Sequence, residues 1–314
     1  MPRVVFFGSP DFALPSLEAL ARTSYKPVLV VTQPDRPAGR GRSMQPTPVR
    51  RFAEELEIPT LVIETFKKGD VIDRLRSLEP DFSVAVAFGL IFPVSVLEIP
   101  SRGSINLHAS LLPSYRGASP VNGAIVNGEL FTGVTTMEMV KALDAGPIYL
   151  QRTVPIDPME NAGELSDRLA AQGASLLIET LQGIEAGTIA PVPQPEEGVH
   201  SAPRLGKRDG LIPWDRDAIG VHNHIRGMNP WPGSFTYYRG RYLKVHRAQP
   251  WDCIPHDHRP GQILVCEGEH VIVACGRGSV RLVRLQSEGK RPLDAAQFLR
   301  GYPLEAGEML GGEG

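Results

Sequence analysis

"RVVFFGSPDFALPSLEALAR", residues 3–22, decides the fold. A short run of valine and phenylalanine breaks at Gly8, Ser9 and Pro10 and passes directly into a segment with apolar residues at helical spacing. The first run is too short for a buried helix and is bounded by turn residues, so it reads as a strand; the second reads as an amphipathic helix. The same alternation recurs. "PVLVVT" precedes "TPVRRFAEEL", "TLVI" precedes "GDVIDRLRSL", "FSVAVAF" precedes "PVSVLE", and "SINLH" closes the series. Repeated strand–helix units with right-handed crossovers predict an α/β domain built on a doubly wound, mostly parallel, Rossmann-like sheet, with ligands bound beyond the carboxyl ends of its strands. Asp11 is expected to cap the first helix, and Thr47 with Pro48 to supply the N-cap and first turn of a later one. No second and third glycine follow Gly8 at G-x-G-x-x-G spacing, so dinucleotide binding is not supported.

"GVTTMEM" and "PIYLQRTVPI" extend the sheet, and "AGELSDRLAAQGASLLIETLQGIEAG" supplies a closing helix with Gly187 as its stop. The proline-rich "TIAPVPQPEEGVHSAPR" reads as an extended linker. Beyond it, "DRDAIGVHNHIRGM" reads as a helix. "GSFTYYR", "RYLKVHRA", "GQILVC", "HVIVAC" and "SVRLVRLQ" then follow as short strands, the pattern of a small antiparallel β-barrel of the five-stranded OB type. The predicted division is a first domain over 1–188, a linker over 189–204 and a second domain over 205–314.

At 314 residues, two domains are also what length alone suggests. With 42% apolar and 22% charged residues, and no apolar stretch near the ~20 residues a membrane span needs, the chain is expected to be soluble. The start shows no signal-peptide pattern, which points to the cytoplasm. Cys253, Cys266 and Cys275 have neither C-x-x-C spacing nor even number. The pairs His222/His224 and His256/His258 lack a complete ligand set, so no metal is expected. Charge is asymmetric: residues 1–204 hold 18 basic and 23 acidic side chains, and residues 205–314 hold 15 and 12.

The chemistry concentrates in "SINLHASLLPSYRGASP", residues 104–120. A strand of period two puts Asn106 and His108 on one face, at the end where a ligand is expected. With Asp144 of "ALDAGPIY", an amide, an imidazole and a carboxylate converge on one crevice. That set suits a reaction through a charged tetrahedral intermediate: the amide donates to an oxyanion, the imidazole donates or exchanges a proton, and the carboxylate orients the imidazole or a water. No serine or cysteine nucleophile accompanies them, so the attacking group should come from a substrate.

At this point the chain resembles a known family. "INLHASLLPSYRGASPVNGAIVNGE", "TGVTTMEM" and "LDAGPIY" are similar to the formyltransferase superfamily that takes a formyl group from 10-formyltetrahydrofolate. The resemblance implies that Asn106, His108 and Asp144 are catalytic. It further implies that Ser110, Leu111, Leu112 and Pro113 border the folate. "VAFGLIFP", residues 86–93, adds Phe88, Gly89 and Leu90 as apolar surface for a flat pteridine.

The acceptor is chosen by "TQPDRPAGRGRSMQPTPVRR", residues 32–51, which carries five arginines against Asp35. Its prolines and glycines predict an irregular loop, and its charge suits phosphates and base edges. It resembles the insertion loop of the methionyl-tRNA formyltransferase branch, which contacts the acceptor end of initiator tRNA, with Arg40 matching that loop's principal arginine. Arg36 and Arg42 are its companions. "RLGKRDGLIPW" and "IRGMNPWPGSFTYY" resemble the same branch's approach to its barrel. Lys207 and Arg208, followed by Arg226, Arg241 and Lys244, become candidate phosphate contacts, while Trp231 reads as a core aromatic. The implied reaction formylates methionyl initiator tRNA, and a monomer is expected. A nucleotide-amino-sugar formyltransferase with the same donor is the alternative.

Overall fold

The computed structural model describes residues 1–38, 43–67, 69–252 and 257–311. In chain order the strands of the first part are β1 (Val4–Gly8), β2 (Pro27–Thr32), β3 (Arg36–Ala38), β4 (Ser43–Gln45), β5 (Thr60–Val62), β6 (Phe82–Val86), β7 (Ser104–His108), β8 (Arg116–Gly117), β9 (Phe131–Glu138), β10 (Ile148–Pro155) and β11 (Ser201–Ala202). Between them lie α1 (Leu14–Ala21), α2 (Pro48–Glu55), α3 (Gly69–Ser77), α4 (Val94–Leu97), α5 (Pro120–Val126) and α6 (Ala162–Glu185). Seven strands form one sheet in the order β10-β9-β7-β6-β1-β2-β5. From β5 to β7 neighbours run parallel, and β9 joins β7 antiparallel. Every residue of β1 and β6 is buried, as expected for central strands covered on both faces.

One core beside this sheet gathers Phe7, Phe66, Phe88 and Phe92, with Phe7 and Phe66 each 5.0 Å from Phe92 between ring centres. Burying each such ring contributes about 2–3 kcal/mol. The α2 entry follows expectation: Thr47 Oγ1 accepts from the Arg50 amide, with Pro48 in the first turn. The α1 entry does not. Asp11 opens a 3-10 turn (Asp11–Ala13) that precedes the helix, and no side-chain hydrogen bond caps either segment; a proline in the first turn of α1 pre-sets the backbone instead. Gly187, at φ +67°, ends α6 as anticipated.

The described residues form two compact units, neither of them one unbroken stretch. The first comprises Met1–Pro120, Thr132–Pro155 and Ser166–Pro203; the second comprises Val121–Phe131, Ile156–Leu165 and Arg204–Gly314. The second holds α7 (Ala218–Gly227) and α8 (Ala295–Gly301). Its sheet is built from β12 (Phe235–Tyr238), β13 (Arg241–Asp252), β14 (Ile263–Glu267), β15 (His270–Ala274), β16 (Ser279–Ser287) and β17 (Leu293–Asp294), and every pairing described is antiparallel. The path β12-β13-β16-β15-β14 leaves two open edges. The chain's last described residues bridge them: the Gly311 amide donates to Tyr237 O (3.0 Å), and the Leu310 amide donates to Gly261 O (2.7 Å). Leu310 is itself buried in the core around Trp214, Val221, Ile225 and Phe298. The barrel anticipated from five strands is thus sealed by a segment that carries no strand pattern.

Candidate active site

Asn106 and His108 lie at the carboxyl end of β7, where Asn106 is flanked by Ala85 on β6 and Met137 on β9. Asn106 is half-buried and shares His108's face by the period of the strand. His108 is 6% exposed. Its Nε2 lies 2.9 Å from Tyr115 O. A carbonyl only accepts, so Nε2 carries the proton of that bond. Tyr115 sits in the left-handed region, at φ +61°, which aims its peptide oxygen back at the ring. The nitrogen left for chemistry is Nδ1, which faces Asp144 Oδ2 at 3.8 Å. The sequence reading gave Asp144 the whole task of orienting this ring; the structure gives much of it to the Tyr115 carbonyl, a backbone group without sequence signature.

Asp144 is held in its own right. Its Oδ2 accepts from the Gly117 amide at 2.9 Å, and its backbone is left-handed, at φ +49°. Gly117 has φ +121°, and a Cβ there would lie 2.5 Å from Ala202 O, so only glycine fits between the carboxylate and β11. Gly146 is equally constrained, since a Cβ would fall 1.8 Å from Glu138 O.

Of the residues assigned to the folate, Ser110, Leu112 and Phe88 are buried and serve the frame. Ser110 Oγ donates to Ser114 O (2.6 Å), the Leu112 amide donates to Thr135 Oγ1 (3.2 Å), and the Phe88 ring belongs to the aromatic core. Phe88 therefore offers backbone rather than a ring. Leu90, Leu111 and Pro113 are half-buried and Gly89 is exposed, so they present accessible surface beside the buried frame. That mixture of apolar surface and few polar groups fits a flat heterocycle. Gln33 went unnoticed in the sequence: its Nε2 donates to Phe88 O (2.7 Å), and a Cβ on Gly89, at φ +79°, would lie 2.8 Å from the same atom.

The arginine-rich stretch is more regular than its composition suggested. β3 and β4 pair antiparallel, Arg36 with Gln45 and Ala38 with Ser43. Arg40 and Arg42 lie outside the described residues. Arg36 is exposed and donates to Gln33 Oε1. Arg50 is committed to Asp35 (3.0 Å) and Glu54 (2.9 Å).

In the second unit Lys207 and Arg208 stand exposed on a 3-10 turn, Lys207–Gly210. Arg226 is not a surface cation. It is 8% exposed and donates to Asn223 Oδ1, Asp157 O and Glu160 O, so its charge stabilises buried carbonyls. Trp231 is 57% exposed and is not a core aromatic; the cluster around Trp214 fills that place. No group of three or more potential metal ligands exists among the described residues. Cys266 is half-buried and Cys275 is buried; Cys253 and His256 lie outside the described residues.

The family described as "Formyl transferase" matches residues 2–181, and "Formyl transferase, C-terminal domain" matches residues 204–303. A methionyl-tRNA formyltransferase of Citrifermentans bemidjiense is 46% identical over 98% of this chain and 96% of its own. That of Pelotomaculum thermopropionicum is 46% identical over 98% of each. Among solved structures, the sugar 3N-formyltransferase WlaRD, crystallised with dTDP and 5-N-formyl-THF, aligns with TM-score 0.67 at 19% identity, over 93% of this chain and 99% of its own. A methionyl-tRNA formyltransferase from Clostridium thermocellum aligns with TM-score 0.53 at 16% identity, over 79% and 93%. At such identities the solved structures speak for the fold alone.

Proposed function

The chain belongs to the formyl transferase family, and from that premise we propose that it transfers the formyl group of 10-formyltetrahydrofolate to the α-amino group of methionyl initiator tRNA. The observation that carries the chemistry is the buried His108 ring, fixed by the Tyr115 carbonyl, with Nδ1 facing Asp144 beside Asn106. The nucleotide-amino-sugar alternative is disfavoured: relatives named methionyl-tRNA formyltransferase reach 43–46% identity over nearly the whole chain, whereas WlaRD stands at 19%.

The α-amino group, with a pKa of about 8, is partly neutral at cellular pH and needs little activation. It attacks the formyl carbon, forming the new C–N bond. Asn106 and the His108 ring stabilise the negative charge that develops on the oxygen. Asp144 accepts the proton shed by the amine, directly or through water. Collapse breaks the bond to N10 of the folate, N10 takes up the proton that Asp144 received, and tetrahydrofolate leaves. Preorganised donors and positioning supply most of the rate. Gly89, Leu90, Leu111 and Pro113 form the accessible part of the folate surface, and Phe88, Ser110 and Leu112 hold its frame.

Arg36, Arg40 and Arg42 act on the acceptor end of the tRNA, and Lys207 and Arg208 on its phosphates. Functionally the chain divides into a catalytic part over 1–188, a linker and a tRNA-binding part over 205–314. The reaction takes place in the cytoplasm, where charged tRNA is used, and the protein acts as a monomer. No helix among the described residues is long and apolar enough to cross a membrane. The deciding experiment is transfer of labelled formyl to methionyl initiator tRNA, with an amino-sugar nucleotide as parallel acceptor. Label on the tRNA alone is expected; label on the sugar alone overturns the choice of acceptor.

A further inference from the structure

We infer that Gln194, in the segment between the two family-matched regions, is a positioning residue for Asp144, and that Arg116 sets Gln194 in turn. The inference rests on the catalytic reading of Asp144. In the stretch 191–200, Gln194 is the one residue that is not exposed. Its Nε2 donates to Asp144 O and to Gly146 O, both at 2.8 Å. Its Oε1 accepts from Arg116 Nε (3.1 Å) and from the second guanidinium nitrogen (2.6 Å). A primary amide offers two donors and two acceptor sites, and this one uses all four. Its orientation is therefore determined: turned over, the oxygen would meet two carbonyls and the NH2 would meet a guanidinium.

The turn it grips needs a grip. Asp144 is a non-glycine residue at φ +49°, a conformation that persists when the surroundings impose it. Gly146 lies so close to Glu138 O that the turn has no room to relax towards β9. The Gln194 amide bridges the carbonyls on either side of Ala145, fixing the peptide that carries the Asp144 side chain. Asp144 Oδ2 then meets the Gly117 amide, one residue from Arg116. Arg116 and Asp144 are thus linked twice, through Gly117 on the carboxylate side and through Gln194 on the backbone side.

The rest of the segment is tied down around this point. Val192 and Ile148 exchange backbone hydrogen bonds at 2.7 and 2.8 Å, and Ser114 Oγ donates to Gly198 O at 3.1 Å. Farther on, β11 pairs parallel with β8, Ser201 beside Arg116 and Ala202 beside Gly117. A stretch with the composition of a passive tether is therefore a strap laced over the two loops that place His108 and Asp144.

The test is a kinetic cycle on the full chain, measuring kcat and both KM values for Gln194→Ala, Gln194→Glu, Asp144→Asn and the double variant Gln194→Ala/Asp144→Asn. Gln194→Ala should lower kcat about 10- to 100-fold, the scale of a small misplacement of a catalytic group, with both KM values little changed. Gln194→Glu keeps an oxygen for Arg116 but points another at two carbonyls, and should do no better. In the Asp144→Asn background the Gln194 substitution should cost nothing further. If Gln194→Ala does not fold, Arg116→Lys replaces it: the two-pronged grip is lost, kcat falls by a smaller factor, and the loss again vanishes in Asp144→Asn. Unchanged kcat, a loss confined to KM, or an equal further loss in the Asp144→Asn background each overturns the inference. Wild-type turnover in Asp144→Asn alone would instead overturn the catalytic reading of Asp144.

Discussion

Two regions of the molecule bury histidines to nearly the same depth and use them differently. On α7, His222 is 6% exposed and lies 3.0 Å from Ala248 O and 2.9 Å from Pro158 O, while burial holds its pKa below the usual value. His224, two residues on, is 5% exposed and is pulled down to about 4 by burial and by the positive charge of Arg216, against a smaller opposing effect of Asp209. Neither ring makes an ion pair among the described residues. His108 at the end of β7 is just as buried, yet it spends one nitrogen on a carbonyl and turns the other to a carboxylate. Burial does not set His108 apart. An unspent ring nitrogen opposite an ionisable partner does.

The contrast breaks first at turnover. Asn106→Ala, His108→Ala and Asp144→Asn should each cut kcat by about 10²–10³, the scale of losing one oxyanion donor, with tRNA affinity close to normal. His222→Phe should leave kcat within a small factor. Steady-state kinetics and tRNA binding check both sides, and a large rise in tRNA dissociation constant for His108→Ala would undo its assigned role.

A second test uses acid. Because His224 binds a proton more weakly folded (about 4) than unfolded (about 6.5), its contribution to stability is complete above pH 6.5, declines as pH falls and levels off below pH 4. The full effect is about 3 kcal/mol at 1.36 kcal/mol per pH unit. Urea unfolding from pH 7.5 to 4 should show the decline, and His224→Leu should flatten it. An unaltered slope in that variant would mean that the ring is protonated when folded.

The smallest effect separates scaffold from site. Asp217 caps α7 through Oδ1 to the Gly220 amide at 2.7 Å. Asp217→Ala should cost about 1 kcal/mol of stability, read from the urea midpoint, with kcat unchanged. A comparable loss of turnover would tie α7 to the chemistry and dissolve the contrast.

Much of this was legible from local pattern. The strands of the first sheet, the Thr47 cap, the Gly187 stop and the pairing of Asn106 with His108 all follow from periods of 2 and 3.6 and from turn residues. Misread features depended on partners far away in sequence. Trp231 resembled a core aromatic because its own neighbours are prolines, but Trp214 already occupies the core. Arg226 resembled a surface cation because nothing local shows the carbonyls of Asp157 and Glu160 that consume its donors. The segments 121–131 and 156–165 belong to the second unit although they precede the linker, and no composition change announces it.

The sequence by itself determined the parallel sheet and the strand end on which Asn106 and His108 share a face, because side-chain period is a local property of the chain. Only the tertiary structure decided which nitrogen of His108 is left for chemistry, that Gln194 holds the turn of Asp144, and that the segment 309–311 closes the barrel. Each of these depends on backbone carbonyls and amides meeting across distant stretches of chain. Every residue carries such groups, so no residue type records where they meet.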